Sequence, residues 1–145
     1  MAAWHRIPAL VALAGGTASL ALAATPQAQE IRLVSISSGQ PEPILTDGLK
    51  TTQDALAADY RGCFTTPLSL GMLTETFTVD PLAKPEPDTR GLSCYDPARL
   101  TEDLRTGEAV AFLSEPDITP GMDRVVAIYS DGRAYAWHQR HAAEN

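Results

Sequence analysis

The chain has 145 residues, 44% of them hydrophobic, with eleven Lys and Arg against eighteen Asp and Glu, for a net charge of −7. That length suits one domain and not two. An acidic surface repels phosphate backbones and anionic headgroups, which argues against binding to nucleic acid or to a membrane surface.

The first segment, "MAAWHRIPALVALAGGTASLALAATPQAQE", differs in character from the rest of the chain. His5 and Arg6 precede an apolar run from Ile7 to Ala24, and "ALA" (Ala21 to Ala23) offers small residues for cleavage. That order is the pattern of a secretory signal. We therefore expect a signal peptide over residues 1–23. The alternative is an uncleaved anchor, since a run of about 18 residues lies near the lower limit for spanning a bilayer. Either way the remainder is exported: periplasmic or secreted after cleavage, or held at the inner membrane facing the periplasm. Losing Arg6 leaves ten basic residues against eighteen acidic ones, scattered without a long like-charge block.

Residues 24–38 form an N-terminal segment carrying the first strand. Its "EIRLVSIS" (Glu30 to Ser37) places Ile31 and Leu33 on either side of Arg32, the alternation of a half-buried strand. A single domain is expected over 39–139, with a short tail at 140–145. "SGQPEP" reads as a turn. "ILTDGLKTTQDALAADY" allows a helix over about 48–58, with Leu49, Thr52 and Leu56 on one face, or a hairpin closed at "TDG"; the helix is the expectation. "YRGCF" reads as a strand. Thr66 then caps a helix that Pro67 opens and that runs to about Leu73. "TETFTVD" (74–80) alternates as a strand, and "PLAKPEPDTRG", with three prolines in seven residues, is a surface loop.

"LSCYDPARLTEDLRTG" carries a full set of helix signals. Asp96 caps, Pro97 opens, Leu100 and Leu104 share a face, Arg99 and Asp103 pair at i, i+4, and Gly107 stops a helix over about 97–106. "EAVAFL" (108–113) is a strand. "DRVVAIYSDGRAYAWHQ" (123–139) is a hairpin with Asp131-Gly132 as a two-residue turn. That turn sets Val126 opposite Trp137 and Ile128 opposite Tyr135. Those four then share one face, and Val125, Ala127, Tyr129, Ala134, Ala136 and His138 share the other. The expected class is α+β: an antiparallel sheet with a C-terminal β-hairpin, short helices packed on one face, and one disulfide.

The chemistry is sparse. Cys63 and Cys94 are the two cysteines. In an oxidising compartment an even count favours a disulfide, worth roughly 3–4 kcal/mol for a loop of this length in the chain-entropy model. The rival is a redox-active pair, since each cysteine precedes a predicted helix N-terminus, where thiolates are favoured. A metal site would need His138 and His141 together with both cysteines, and no regular element fixes that spacing. No nucleophile elbow, Walker loop or G-x-G-x-x-G is present, so we expect no catalytic residue, metal or cofactor. "RAYAWHQRH", together with Tyr129 just ahead of the turn, gives a candidate partner or ligand surface at Tyr129, Tyr135, Trp137, His138 and Arg140, since Tyr, Trp and Arg dominate binding hot spots. The alternative is an amphipathic strand with Tyr135 and Trp137 in the core.

"PEPILTD", "CFTTPLSLGMLTETF", "SCYDP" with "TGEAVAFL", and "GMDRVVAIYSDGRAYAWHQ" run in order from about Gly39 to Gln139. In these blocks the chain resembles a family of small exported or membrane-anchored alphaproteobacterial proteins of unknown function. The resemblance implies a single apolar N-terminal segment and the two cysteines seen here as Cys63 and Cys94, and no catalytic residue. The leading expectation is a non-enzymatic periplasmic domain that binds a protein partner or serves an envelope complex. A thiol–disulfide redox protein is the alternative, and a small-ligand binder with a pocket near Tyr129 and His138 is the third reading.

Overall fold

A computed structural model describes residues 30–141. The expected signal peptide or anchor at 1–23 lies outside the described residues, as do the last four positions of the tail. The elements in chain order are β1 (Arg32–Val34), β2 (Pro41–Pro43), β3 (Asp47–Thr51), β4 (Arg61–Thr65), α1 (Leu70–Thr76), α2 (Pro97–Thr106), β5 (Ala109–Thr119), β6 (Met122–Tyr129) and β7 (Arg133–Arg140). The class is α+β, with an antiparallel five-stranded sheet ordered β3-β4-β7-β6-β5 and a separate β1-β2 pair.

Two apolar clusters sandwich the large sheet. On one face Ile31, Leu33, Tyr60, Phe64, Leu73, Phe112, Val126 and Ile128 pack together. On the other, Cys63, Tyr95, Leu100, Val125, Tyr129 and Trp137 do so. Leu73 comes from α1 and Leu100 from α2, so the helices divide between the two faces instead of sharing one. Both faces of β6 are therefore apolar and buried, as its run Val125–Tyr129 requires. Ile31, just ahead of β1, and Leu33 within it pack into the same core. At the far end β7 reaches Arg140, inside the stretch expected as tail.

The hairpin corrects the expected register by one residue. Ser130, Asp131 and Gly132 all lie between the strands, and Gly132 N–H donates to Tyr129 O at 3.0 Å with Gly132 at φ 91°. A three-residue loop with a left-handed glycine is the next common solution after the two-residue turn. It pairs Ile128 with Ala134, Val126 with Ala136, Ala127 with Tyr135 and Val125 with Trp137. A one-residue slip exchanges the faces of a whole strand. Tyr135 and Trp137 thus join Val125, Ala127 and Tyr129 on the α2 side, while Ala134, Ala136 and His138 join Val126 and Ile128 on the α1 side.

The helix expected over 48–58 is replaced by β3 at its start. Asp47, Gly48, Thr51 and Thr52 are all poor helix formers, and β4 offers a free edge. Gly48, at φ 64°, sits where the β3–β4 register shifts between Asp47 and Lys50, the position a bulge gives to glycine. α1 begins three residues later than expected. Ser69, not Thr66, is its N-cap and accepts from Met72 N–H at 3.2 Å. Thr66 instead prolongs β4, donating its N–H to Gly132 O, and its hydroxyl accepts from Leu68 N–H. The strand expected over 74–80 shrinks to single bridges at Phe77 and Val79, because α1 runs to Thr76. α2 matches expectation residue for residue: Asp96 accepts from Arg99 N–H, Pro97 opens the helix, Arg99 pairs with Asp103, and Gly107 closes it in the left-handed conformation.

Candidate ligand-binding pocket

Cys63 and Cys94 are joined in a disulfide, with Cα atoms 6.4 Å apart. Cys63 is buried on β4, inside the sheet, and Cys94 stands two residues ahead of the α2 cap. The bond therefore ties the start of α2 to the sheet face it covers. With the Cys63 sulfur under that packing, an attacking thiolate has little access to it.

The five residues expected to share a surface do not share one. Trp137 is fully buried, and its indole N–H donates to Gln139 Oε1 at 2.9 Å. Tyr129 is buried, donates its hydroxyl to Asp103 Oδ2 at 2.5 Å, meets Tyr135 edge-on and lies under the Arg133 guanidinium. Burial and the Asp103 carboxylate push the Tyr129 phenol well above its ordinary range. The same hydrogen bond is the main cause of the lowered Asp103 pKa. These aromatics are core and side wall on the α2 face. His138 and Arg140 lie at the other end of β7 and come together there.

His138 is fully buried and fixed from three sides. Its Nδ1–H donates to Ala57 O at 2.7 Å, its Nε2 accepts from Arg124 Nε at 3.1 Å, and its ring stacks on Tyr60 at 4.6 Å. Burial, and then the Arg124 charge, push its pKa down to about 4, so the ring is neutral in this tautomer. Arg124 is fully buried too, lies 4.2 Å over the Tyr60 ring and is 3.5 Å from Glu115, which also pairs with Arg32. With both ring nitrogens engaged, His138 has none left to act as a general base. The network is a buried polar strut.

The pocket lies beside it. β7 continues three residues past its last partner on β4, Arg61 opposite Trp137. The space left by β4 is walled by Ala58 and Asp59 on one side and by the proline-rich loop from Leu82 to Thr89 on the other. The result is a cavity of about 650 Å³, lined among others by Arg61, Lys84, His138, Gln139 and Arg140. This falls within the roughly 300–1,000 Å³ usual for small-ligand sites. The loop is held by Lys84 N–H to Gln139 Oε1, Arg61 Nη2 to Pro87 O and Tyr95 hydroxyl to Glu86 O, and at its far end by Thr89 and Arg90, which both donate to Asp59.

Arg61, Lys84 and Gln139 were not singled out from sequence. Arg61 carried the one usable signal, a charge opening a strand that is otherwise apolar and small. The His138, His141 and cysteine metal set does not form, since the cysteines are bonded to each other and His138 is engaged. A different group, Asp117, Asp123 and His141, brings its ligand atoms within 4.8 Å of one another. There the Asp123 carboxylate already accepts from Asp117 N–H and meets His141 Nδ1, both at 2.8 Å.

A family of unknown function (DUF6446) has a sequence profile that matches residues 31–145. The chain belongs to this family. The match begins at Ile31, the first core residue of the fold, and takes in every strand and helix of the structure. No curated protein and no solved structure matches this DUF6446 chain. Among its described residues no helix is long and apolar enough to cross a membrane.

Proposed function

We propose that this DUF6446 protein is an exported, non-enzymatic binding domain of the periplasm, and that it binds a small molecule in the pocket at the open end of β7. The observation that carries the reading is the pocket itself. A sheet edge, a buried arginine and a proline-rich loop surround a ligand-sized space. The aromatic residues that favoured a protein-docking surface are instead consumed by packing, which weighs against an envelope partner held through them. The Cys63–Cys94 bond supports an oxidising compartment, and the burial of Cys63 favours a staple over a redox centre. Acid–base catalysis finds no free imidazole at the site.

The test is a thermal-shift screen of the exported, purified protein against fractionated small-molecule extract, beside Ala58→Trp, which fills the pocket from an exposed position. A ligand at about 100 times its Kd stabilises by about 2.7 kcal/mol, an upward shift of roughly 10 °C for a domain of this size. The expected result is a fraction that shifts the parent protein and leaves Ala58→Trp unmoved. If no fraction shifts the parent, or both proteins shift equally, the pocket is not a binding site.

A further inference from the structure

Arg61 is 3% exposed, yet no carboxylate lies within ion-pair distance of it among the described residues. Its guanidinium donates to three backbone carbonyls, Tyr60 O at 2.7 Å, Pro87 O at 2.8 Å and Ala58 O at 3.5 Å, and it lies 5.5 Å from the Tyr95 ring centre. Among the described residues its Nε–H has no hydrogen-bond partner. Carbonyls and a ring face soften the cost of a buried cation, but they supply no opposite charge. A buried charge is ordinarily paired, since solvation lost to burial is regained only through a counter-ion with good hydrogen bonds. The contrast with Arg124, buried as deeply and set against Glu115, is internal to the fold.

The surroundings of Arg61 have the same sign. Lys84 and Arg140 also line the cavity, and neither is in an ion pair among the described residues. Of the two lining carboxylates, Asp59 is held by Arg90 at 2.6 Å, and that bond is the main cause of its lowered pKa. Glu86 is then the one acidic group left to offset three cations. This local excess of positive charge sits on a chain whose net charge is −7. A concave, low-dielectric wall focuses such a field and raises the local concentration of anions.

We propose that the pocket binds a small organic anion, a carboxylate- or phosphate-bearing molecule whose oxygens complete the partners of Arg61 while Lys84 and Arg140 close on it from the rim. This rests on the reading of the pocket as a binding site and adds the chemical class of the ligand. The oxyanion meets the guanidinium by entering between β7 and the proline-rich loop, where it competes with Pro87 O. The planar Arg fork suits carboxylate and phosphate oxygens alike, so both sources enter the test.

The experiment is an amide and arginine-side-chain NMR titration of the exported, purified protein with citrate, with glycerol 3-phosphate and with uncharged glycerol. Saturable shifts at Lys84, Gln139, Arg140 and the Arg61 Nε–H are expected with at least one anion and not with glycerol; which anion acts identifies the source. Substituting Arg61 risks the fold, so the exposed residues carry the test. Lys84→Gln and Arg140→Gln each weaken the anion about fivefold, the loss of one charge-assisted contact, and Glu86→Gln tightens it. Shifts that never saturate with either anion, or that are indifferent to these three substitutions, overturn the anion class. Should the extract screen then yield an uncharged ligand blocked by Ala58→Trp, the pocket reading stands without its anion. Should an anion bind Ala58→Trp as well as it binds the parent, both readings fall.

Discussion

Lowering the pH from 7 to 5 is expected to destabilise the fold by about 2 kcal/mol through His138 alone. The folded ring takes a proton only near pH 4, against an ordinary value of 6.5. The unfolded chain therefore binds more protons than the folded one between those values, and stability must rise with pH across that window. The contribution is fully present above about pH 6.5 and is lost as the pH falls toward 4. Integrated linkage gives about 2 kcal/mol by pH 5 and about 3 kcal/mol near pH 4, or roughly 8 °C in melting temperature at pH 5 for a unit of this size. The carboxylates with lowered pKa, such as Asp59 and Asp103, start from an ordinary value of 3.8 and act below this window. Urea denaturation at pH 7, 6 and 5, run on the parent and on His138→Gln, isolates the effect. Glutamine keeps a neutral donor for Ala57 O and an acceptor for Arg124. The gap in stability between the two proteins should shrink by about 2 kcal/mol from pH 7 to pH 5. Parallel pH profiles would show that His138 is not held neutral by burial, and the strut would need another explanation.

Two other outcomes rest on the frame of the fold. Replacing both cysteines by alanine should lower stability by about 4 kcal/mol, the chain-entropy value for a loop of this length; the urea midpoint measures it, and thiol titration of the unreduced parent should find no free thiol, native or denatured. Gly132→Ala should cost about 2 kcal/mol or more, because a Cβ there would stand 2.5 Å from Thr66 O in a left-handed backbone. Gly39→Ala, left-handed in open space, is the control and should cost less.

What could be read from the sequence was local. α2 was legible to the residue because Asp96, Pro97, Arg99, Asp103 and Gly107 act within one or two turns of each other. The hairpin was legible as a hairpin but not in register. Asp-Gly serves both two- and three-residue loops, and the choice is made by Thr66, which bonds Gly132 O from a distant strand. Thr66 misled for the same reason: its cap-like chemistry is spent on β4 and a turn. The pocket was half legible. His138 and Arg140 come from one strand and were named. Arg61 and Lys84 reach the site only because β4 stops short beside β7 and the proline-rich loop folds over the gap, neither of which leaves a local trace. The neutrality of His138 depends on Arg124 and Ala57, which only the tertiary fold brings to it.

The strand order β3-β4-β7-β6-β5 also governs when the protein can fold. β4 finds its second neighbour in β7, about 70 residues further along, and loop closure of that span makes the step slow. When the chain emerges N-terminus first, β3 and β4 of this sheet come ahead of its other strands and leave the β4 edge open until β7 arrives, and the Gly132 contact that fixes Thr66 is missing for as long. An exposed edge of this kind is a template for pairing with other chains. Folding of the whole sheet is thus timed by the strand that bears His138 and Arg140. A chain cut short before that strand would lose the pocket and leave a sticky sheet edge in its place.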